Sequence, residues 1–141
     1  HPRLVQYVCH NLIKQINREE MRCITPEHVQ RIAGSNEFRE EYLHTVWGDV
    51  TSFEKAMTLA LEKTTVTQEE IQEALERWDI PYTWEDLKVA LHDLKTCSVL
   101  EQDNSTFRFV AQHFPRIARE SLDIEMEIMS LRRKIRREQD L

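Results

Sequence analysis

The sequence has little glycine, proline or cysteine and no long hydrophobic run. Two glycines and four prolines are too few for a strand-rich fold with many tight turns, or for a glycine-rich loop that cradles phosphate. Three cysteines at unrelated spacings give no disulfide framework and fit a reducing compartment. No apolar run approaches the roughly 18 residues that a membrane span needs. We therefore expect a mainly helical, cytoplasmic chain that does not cross a membrane.

The start of the chain, His1 and Pro2, has neither an initiator methionine nor the layout of a signal peptide. An amphipathic helix begins immediately, as expected of a piece of a longer protein. With 40% hydrophobic and 31% charged residues, the composition is that of a globular chain rather than a disordered one. Its 141 residues suffice for one ordinary domain or two very small ones.

Charge is unevenly distributed along the chain. Residues 1–115 contain 12 Lys/Arg against 19 Asp/Glu, whereas residues 116–141 contain 7 against 6. Five of those seven cations lie in the segment 132–137. An acidic body disfavours a general role in nucleic-acid binding, which needs a basic face. The basic segment itself fits the C-terminal end of a helix, where cations complement the helix dipole, and contact with nucleic acid or an anionic membrane is the alternative.

Three helices are predicted in residues 1–50, which form a helical, lid-like subdomain. Apolar residues of the first helix recur at spacings of three and four, and Cys9 falls on this stripe as a small hydrophobe. Thr25 and Pro26 are the N-cap and the first residue of the second helix. The three helices are expected over residues 2–20, 26–34 and 36–47.

Residues 51–115 predict a winged helix-turn-helix. A helix over 52–63 is followed by capping-box helix starts at Thr67 and Thr83. Two short strands, 98–102 and 106–110, then surround a polar turn. Three capped helices followed by a β-hairpin is the order typical of a winged helix, and a helical bundle with a stray hairpin is the alternative.

The C-terminal segment, residues 116–141, is predicted to be one long helix and a candidate coiled coil. Steps of seven, four, three and four residues separate the apolar positions of its seam: Ile117, Ile124, Ile128, Leu131 and Ile135. This helix either folds back on its own body or forms a homodimer. The acidic segment 120–127 precedes the basic segment 132–137, so a dimer through this helix is expected to be antiparallel.

Residues 1–10, Leu12, Asn17 and 24–29 together resemble the end of the lid subdomain in bacterial signal-transduction ATPases of the STAND and AAA type. Tyr42 and Leu43, followed by residues 46–50, are similar to that family's link into its winged helix. The resemblance covers about residues 1–120 and implies the fold class stated above: mainly α, with a lid remnant, a winged helix-turn-helix and a long C-terminal helix.

The resemblance also implies two nucleotide-proximal residues. In that family a Gly-x-Pro signature begins the lid helix and its proline lies near the nucleotide, and His1-Pro2 match the last two positions. A histidine at the end of the family's winged helix senses phosphate. His113 corresponds to it, although Phe114 stands where the family's Met-His-Asp triplet has aspartate.

The resemblance implies a non-catalytic regulatory module of a larger P-loop ATPase. A Gly-x-x-x-x-Gly-Lys-Ser/Thr motif is absent from the chain, so ATP or ADP and magnesium are expected only on the upstream nucleotide-binding domain of the parent protein. That domain and other proteins are the expected partners. Buried aromatic anchors are expected between the lid and the winged helix: Phe38, Trp47, Trp78 and Trp84.

DNA binding is the alternative function for any winged helix. The second capped helix, residues 84–96, would enter the groove with Lys88, His92 and Lys95, and Arg108 would extend from the hairpin. Residues 52–111 contain 6 Lys/Arg against 12 Asp/Glu, a balance that phosphates would repel. Cysteine and histidine show none of the paired spacings of a zinc site, so no metal is expected.

Overall fold

Eight helices and three strands make up the part of the chain that the computed structural model describes, residues 2–140. In chain order they are α1 (Pro2–Glu19), α2 (Pro26–Ala33), α3 (Asn36–Trp47), α4 (Ser52–Ala60), β1 (Thr65–Thr67), α5 (Gln68–Arg77), α6 (Trp84–Thr96), β2 (Leu100–Asp103), β3 (Thr106–Phe109), α7 (Phe114–Ser121) and α8 (Ile124–Gln139). The predicted fold class, mainly α with a short hairpin and a C-terminal helix, is confirmed. Contacts divide the chain into two units between Val46 and Trp47.

The first unit contains α1, α2 and nearly all of α3, and its core is small. Its buried apolar side chains are Leu4, Leu12, Tyr42 and Leu43. The ring of Phe38 bridges those of Tyr7 and Tyr42, at centroid distances of 6.0 and 6.1 Å. Cys9 is exposed, so its assignment to the buried stripe was wrong. The core covers only the face of α1 that contains Leu4 and Leu12.

The helix α2 begins where the sequence predicted, with Thr25 as N-cap and Pro26 in its first turn. The backbone N–H of Thr25 donates to Nδ1 of His28 at 3.0 Å, so a histidine occupies the position that glutamate usually has in a capping box. Gly34 ends the helix, and its N–H donates to the carbonyl of Gln30 at 2.9 Å.

The second unit begins with a helix that is shorter than predicted. The helix α4 ends at Ala60 rather than at residue 63, because the chain then extends into a strand that the sequence analysis missed. This strand, β1, pairs antiparallel with β3, and Val66 lies opposite Phe107. The sheet order is β1-β3-β2. Three residues are too few to display the alternation by which strands are recognised.

Reciprocal side-chain and backbone hydrogen bonds cap the N-termini of α4, α5 and α6 in the second unit. In α5 the Thr67 N–H donates to Glu70 at 2.8 Å, and in α6 the Thr83 N–H donates to Asp86 at 2.7 Å. The same box, formed by Thr51 and Glu54, opens α4. Both capping boxes predicted from the sequence are therefore present.

The C-terminal segment is two helices, not the single long helix predicted. Leu122 is extended, with φ −126° and ψ 147°, and Asp123 then caps α8 by accepting the Met126 N–H at 3.1 Å. Three seam residues of α8 are buried: Ile128, Leu131 and Ile135. They belong to the face of α8 that packs against α4, so this part of the segment folds back on its own body.

Candidate interaction surfaces

The two residues predicted to lie near a nucleotide are on the surface of different units. Pro2 is the exposed first residue of α1, and His1 lies outside the described residues. His113 precedes α7, is exposed, and makes no side-chain capping hydrogen bond to that helix. Its carbonyl accepts the Ile117 N–H at 2.9 Å. The imidazole of His113 is therefore a surface group.

Both glycines of the sequence follow the C-terminal end of a helix. Gly34 is the C-cap of α2, and Gly48 lies in the turn after α3. A phosphate cradle needs glycines before the N-terminus of a helix, where backbone N–H groups converge on the anion. Gly34 also lies two residues before α3, but it is a single glycine there, so this loop lacks the glycine-rich sequence of a phosphate cradle.

The predicted DNA-contacting residues of α6 share one exposed side of that helix. Lys88, His92 and Lys95 are separated by four and three residues, and all three are exposed. Arg108 is exposed on β3, the central strand of the sheet. The structure thus brings three of the four candidates onto one helix face.

Two of these four candidates are already engaged within the chain. Nζ of Lys95 donates to Oε1 of Gln102 at 2.8 Å. Nε of Arg108 donates to the carboxylate of Glu101 at 2.6 Å, which neutralises it. Lys88 lies beside the ring of Trp84, with Nζ 6.0 Å from the centroid. A nucleic acid would have to compete with Glu101 for the only arginine of this set.

The aromatic side chains predicted as buried anchors differ in their surroundings. Trp84 is 51% exposed, so the prediction was wrong for this residue, which is the first of α6. Trp47 is half-buried in the second unit. Its Nε1 donates to Oγ1 of Thr58 at 3.1 Å, and its ring meets Phe114 edge-on at 5.4 Å. Trp47 therefore anchors the start of the second unit.

An exposed apolar stripe runs along α1 of the first unit. It consists of Val5, Cys9 and Ile13, which are spaced by four residues and lie on one helix face. Val5 is 61% exposed and Ile13 57%, and Cys9 is also exposed. We call these three residues the α1 stripe.

Sequence reasoning missed the α1 stripe because it assigned every apolar residue of α1 to a single core face. The signal was present. Leu4, Val8 and Leu12 form one row at a spacing of four residues, and the stripe forms a parallel row one position further along. Together, these two adjacent rows form an apolar face of α1 that is too wide for the other helices of this small unit to cover.

Two more apolar residues of the first unit are exposed near the start of α2. Ile24 is 47% exposed and Val29 37%, and both border a shallow surface depression that also includes Pro26. Aliphatic side chains thus remain uncovered at two places in a unit that has few buried ones. An exposed apolar surface of this kind is typical of an interaction site.

Comparison of this chain with protein-family models, with curated proteins and with solved structures gives no match. Within residues 2–140, no three His, Cys, Asp or Glu side chains are grouped so that they could hold a metal ion. In the same range, no helix is both long enough and apolar enough to cross a membrane.

Proposed function

We propose that this chain is a non-catalytic regulatory module of a larger cytoplasmic P-loop ATPase. The first unit docks on the nucleotide-binding domain of the parent protein, which binds ATP or ADP with magnesium. The helices and hairpin from α4 to β3 act as a winged helix that couples the nucleotide state to conformation or partner binding.

The α1 stripe is the observation that supports this proposal most directly. Val5 and Ile13 are more than half exposed, and burial of the surface that remains exposed would contribute about 1–2 kcal/mol for each side chain. A second domain that covers the stripe would supply this gain. An uncovered apolar row is more typical of a surface that another domain covers than of a unit that functions alone.

The position of Pro2 agrees with the same docking surface. Pro2 and Val5 both belong to the first turns of α1, so a domain that covers the stripe would also approach Pro2. In the family that the sequence resembles, the corresponding proline lies near the nucleotide. The α1 stripe and Pro2 thus both support the same side of α1 as the docking surface.

The docking is tested by coexpressing this chain with the nucleotide-binding domain of its parent protein and measuring copurification. The double variant Val5→Asp, Ile13→Asp is expected to lose the complex while its melting temperature stays close to that of the wild type, since both residues are exposed. The control Lys14→Gln, Arg18→Gln makes the same net charge change at exposed positions on another side of α1 and is expected to retain it.

Two results would overturn the proposal: an undiminished complex in the stripe variant, or a parent sequence without a Gly-x-x-x-x-Gly-Lys-Ser/Thr motif upstream. The chain alone is expected to bind no ATP at micromolar concentration in calorimetry. A measurable micromolar affinity would show that it has a nucleotide site of its own.

DNA binding through α6 is the second candidate, supported by the shared exposed face of Lys88, His92 and Lys95. Glu85, Asp86 and Asp93 lie on the same helix and would be repelled by phosphates. An electrophoretic mobility shift that survives competitor DNA, and that Lys88→Glu, Lys95→Glu abolishes, would establish this function instead.

A further inference from the structure

An apolar groove in the second unit lies between the start of α4, one side of α6 and the end of α8. It encloses about 320 Å³ and is lined on its apolar side by Phe53, Val89, Ala90 and Ile135. Val89 is 49% exposed, although the next two residues of α6, Ala90 and Leu91, are buried. The groove thus offers apolar surface that the second unit does not cover.

The charged lining of the groove is entirely acidic, and the neutral Thr51 and Gln139 complete its polar lining. Glu54, Glu85, Asp86, Asp93 and Glu138 line it, and no lysine or arginine does. Three of the carboxylates have partners, since Glu54 and Asp86 close capping boxes and Glu138 accepts from Ser52 at 3.2 Å. Glu85 and Asp93 form no ion pair with any residue in the described range. The groove is therefore complementary to a cationic occupant that also has apolar side chains.

The same chain has a surface of that chemistry on α8. Met126, Met129, Arg133 and Arg137 are separated by three, four and four residues and lie on one helix face. Met126 is 63% exposed and Met129 39%. The two arginines are exposed and, within residues 2–140, form no ion pair. We call these four residues the Met/Arg face.

The Met/Arg face is distinct from the side of α8 that is already occupied. Ile128 and Ile135 belong to the side that packs against α4. Arg132 and Arg136 both reach the carboxylate of Asp79, the latter at 3.2 Å. The Met/Arg face remains free after these contacts are made.

We propose that a second copy of this chain inserts its Met/Arg face into the acidic groove. Arg133 and Arg137 pair with Glu85 and Asp93, while Met126 and Met129 cover Val89 and Phe53. Each copy has both surfaces, so a two-fold dimer makes the contact twice. This interface leaves the seam of α8 on α4 and therefore differs from the coiled coil that the sequence suggested. It does not depend on the proposed function.

The experiment is sedimentation equilibrium of the full chain and of charge-reversed variants. The wild type is expected to dimerise and to dimerise less tightly as salt rises from about 0.05 to about 0.5 M, because exposed ion pairs are screened. The groove variant Glu85→Lys, Asp93→Lys and the face variant Arg133→Glu, Arg137→Glu are each expected to weaken the dimer roughly tenfold or more. All four substitutions together are expected to restore it.

The matched control is Glu73→Lys, Glu76→Lys, which makes the same charge change on exposed positions of α5 and should leave the dimer intact. Circular dichroism melting checks the folding of each variant. If the groove variant fails to fold, Glu85→Gln, Asp93→Asn is measured in its place and is also expected to weaken dimerisation.

Three results would overturn the proposal. The first is a wild type that stays monomeric up to millimolar concentration at low salt. The second is a dimer that the groove and face variants leave unchanged. The third is a dimer that both variants abolish and that the combined variant does not restore, since direct pairing requires the restoration.

Discussion

The guanidinium of Arg119 connects α7 to the end of α4 in the second unit. One of its terminal nitrogens donates to the carbonyl of Leu61 at 3.0 Å and to that of Pro115 at 3.2 Å. Burial lowers the pKa of the guanidinium, and Glu62 at 4.0 Å opposes this shift. Arg119 thus joins α7 to the carbonyl groups left unpaired where α4 ends.

Replacing Arg119 by alanine is expected to lower the free energy of unfolding by about 1–3 kcal/mol, because a buried carbonyl loses its donor. Arg119→Lys is expected to recover only part of this loss, since an ammonium group lacks the planar fork of the guanidinium. The measurement is urea denaturation followed by circular dichroism.

Arg116→Ala is the control for that series. Its guanidinium is exposed and lies 3.9 Å from Glu120, and an exposed pair of this kind contributes about 0–1 kcal/mol. Equal urea midpoints for Arg119→Ala and Arg116→Ala would show that the bonds to Leu61 and Pro115 contribute nothing.

The start of α5 combines a capping box with an ion pair that links stability to pH. Lys63 donates to Glu70 at 2.6 Å. This hydrogen bond is the main reason that the pKa of Glu70 lies below its ordinary 4.5 and that the pKa of Lys63 lies above 10.5. The stabilisation from Glu70 is complete above pH 4.5 and is lost as the pH falls through its lower folded pKa. That from Lys63 is lost only at alkaline pH.

Glu70→Gln is therefore expected to lower the melting temperature at pH 7, and the difference from the wild type should vanish well below pH 4.5, where Glu70 is also neutral. Calorimetric melting across this range tests it. Glu69→Gln, at the exposed neighbouring position, is the control. A difference of the same size at every pH would show that the ionised carboxylate is not responsible.

The elements that the sequence predicted best are those that begin with a local chemical signal. Thr25 and Pro26 located the start of α2. A threonine followed three residues later by an acidic residue located the starts of α5 and α6, because capping depends on residues within one turn. The strand β1 and the break at Asp123 were missed. The pairing of β1 depends on Phe107, which is distant in sequence. The helix breaks at Asp123, although the apolar spacing continues across this position from Ile117 to Ile124.

The candidate surfaces were less predictable from the sequence than the helices. Periodicity shows which faces of α1 and α8 are apolar, but it does not show how much of each apolar face is covered by the rest of the chain. Val5 and Ile13 are exposed whereas Ile128 is buried, although all three occupy apolar rows. Coverage depends on the tertiary packing of the neighbouring elements.

The packing of α8 on α4 is tested by comparing a buried and an exposed apolar residue of the same helix. Ile128 is 1% exposed and Met126 63%. For the monomer, Ile128→Ala is expected to cost about 2–5 kcal/mol in the free energy of unfolding, and Met126→Ala less than about 0.5 kcal/mol. Urea denaturation measures both, and equal losses would contradict the packing of α8 on α4.

At the scale of the whole molecule, the two units differ in how much core they contain. The second unit buries apolar side chains from all of its helices and strands, including Met57, Leu75, Leu94 and Phe109. The first unit buries four and leaves the α1 stripe exposed. A small unit with so little buried surface gains little free energy from folding by itself.

Separating the two units at the boundary between Val46 and Trp47 tests this difference. The fragment 47–141 is expected to keep its helical circular dichroism spectrum and to melt cooperatively. The fragment 1–46 is expected to be largely unfolded alone, because chains near 40 residues rarely have enough core to fold without help. Adding the nucleotide-binding domain that we propose for the parent protein should restore its helical signal, since that domain would cover Val5 and Ile13. A sharp melting transition of fragment 1–46 alone would contradict the argument, because it would mean that the four buried side chains suffice and that the α1 stripe needs no partner to stabilise the unit.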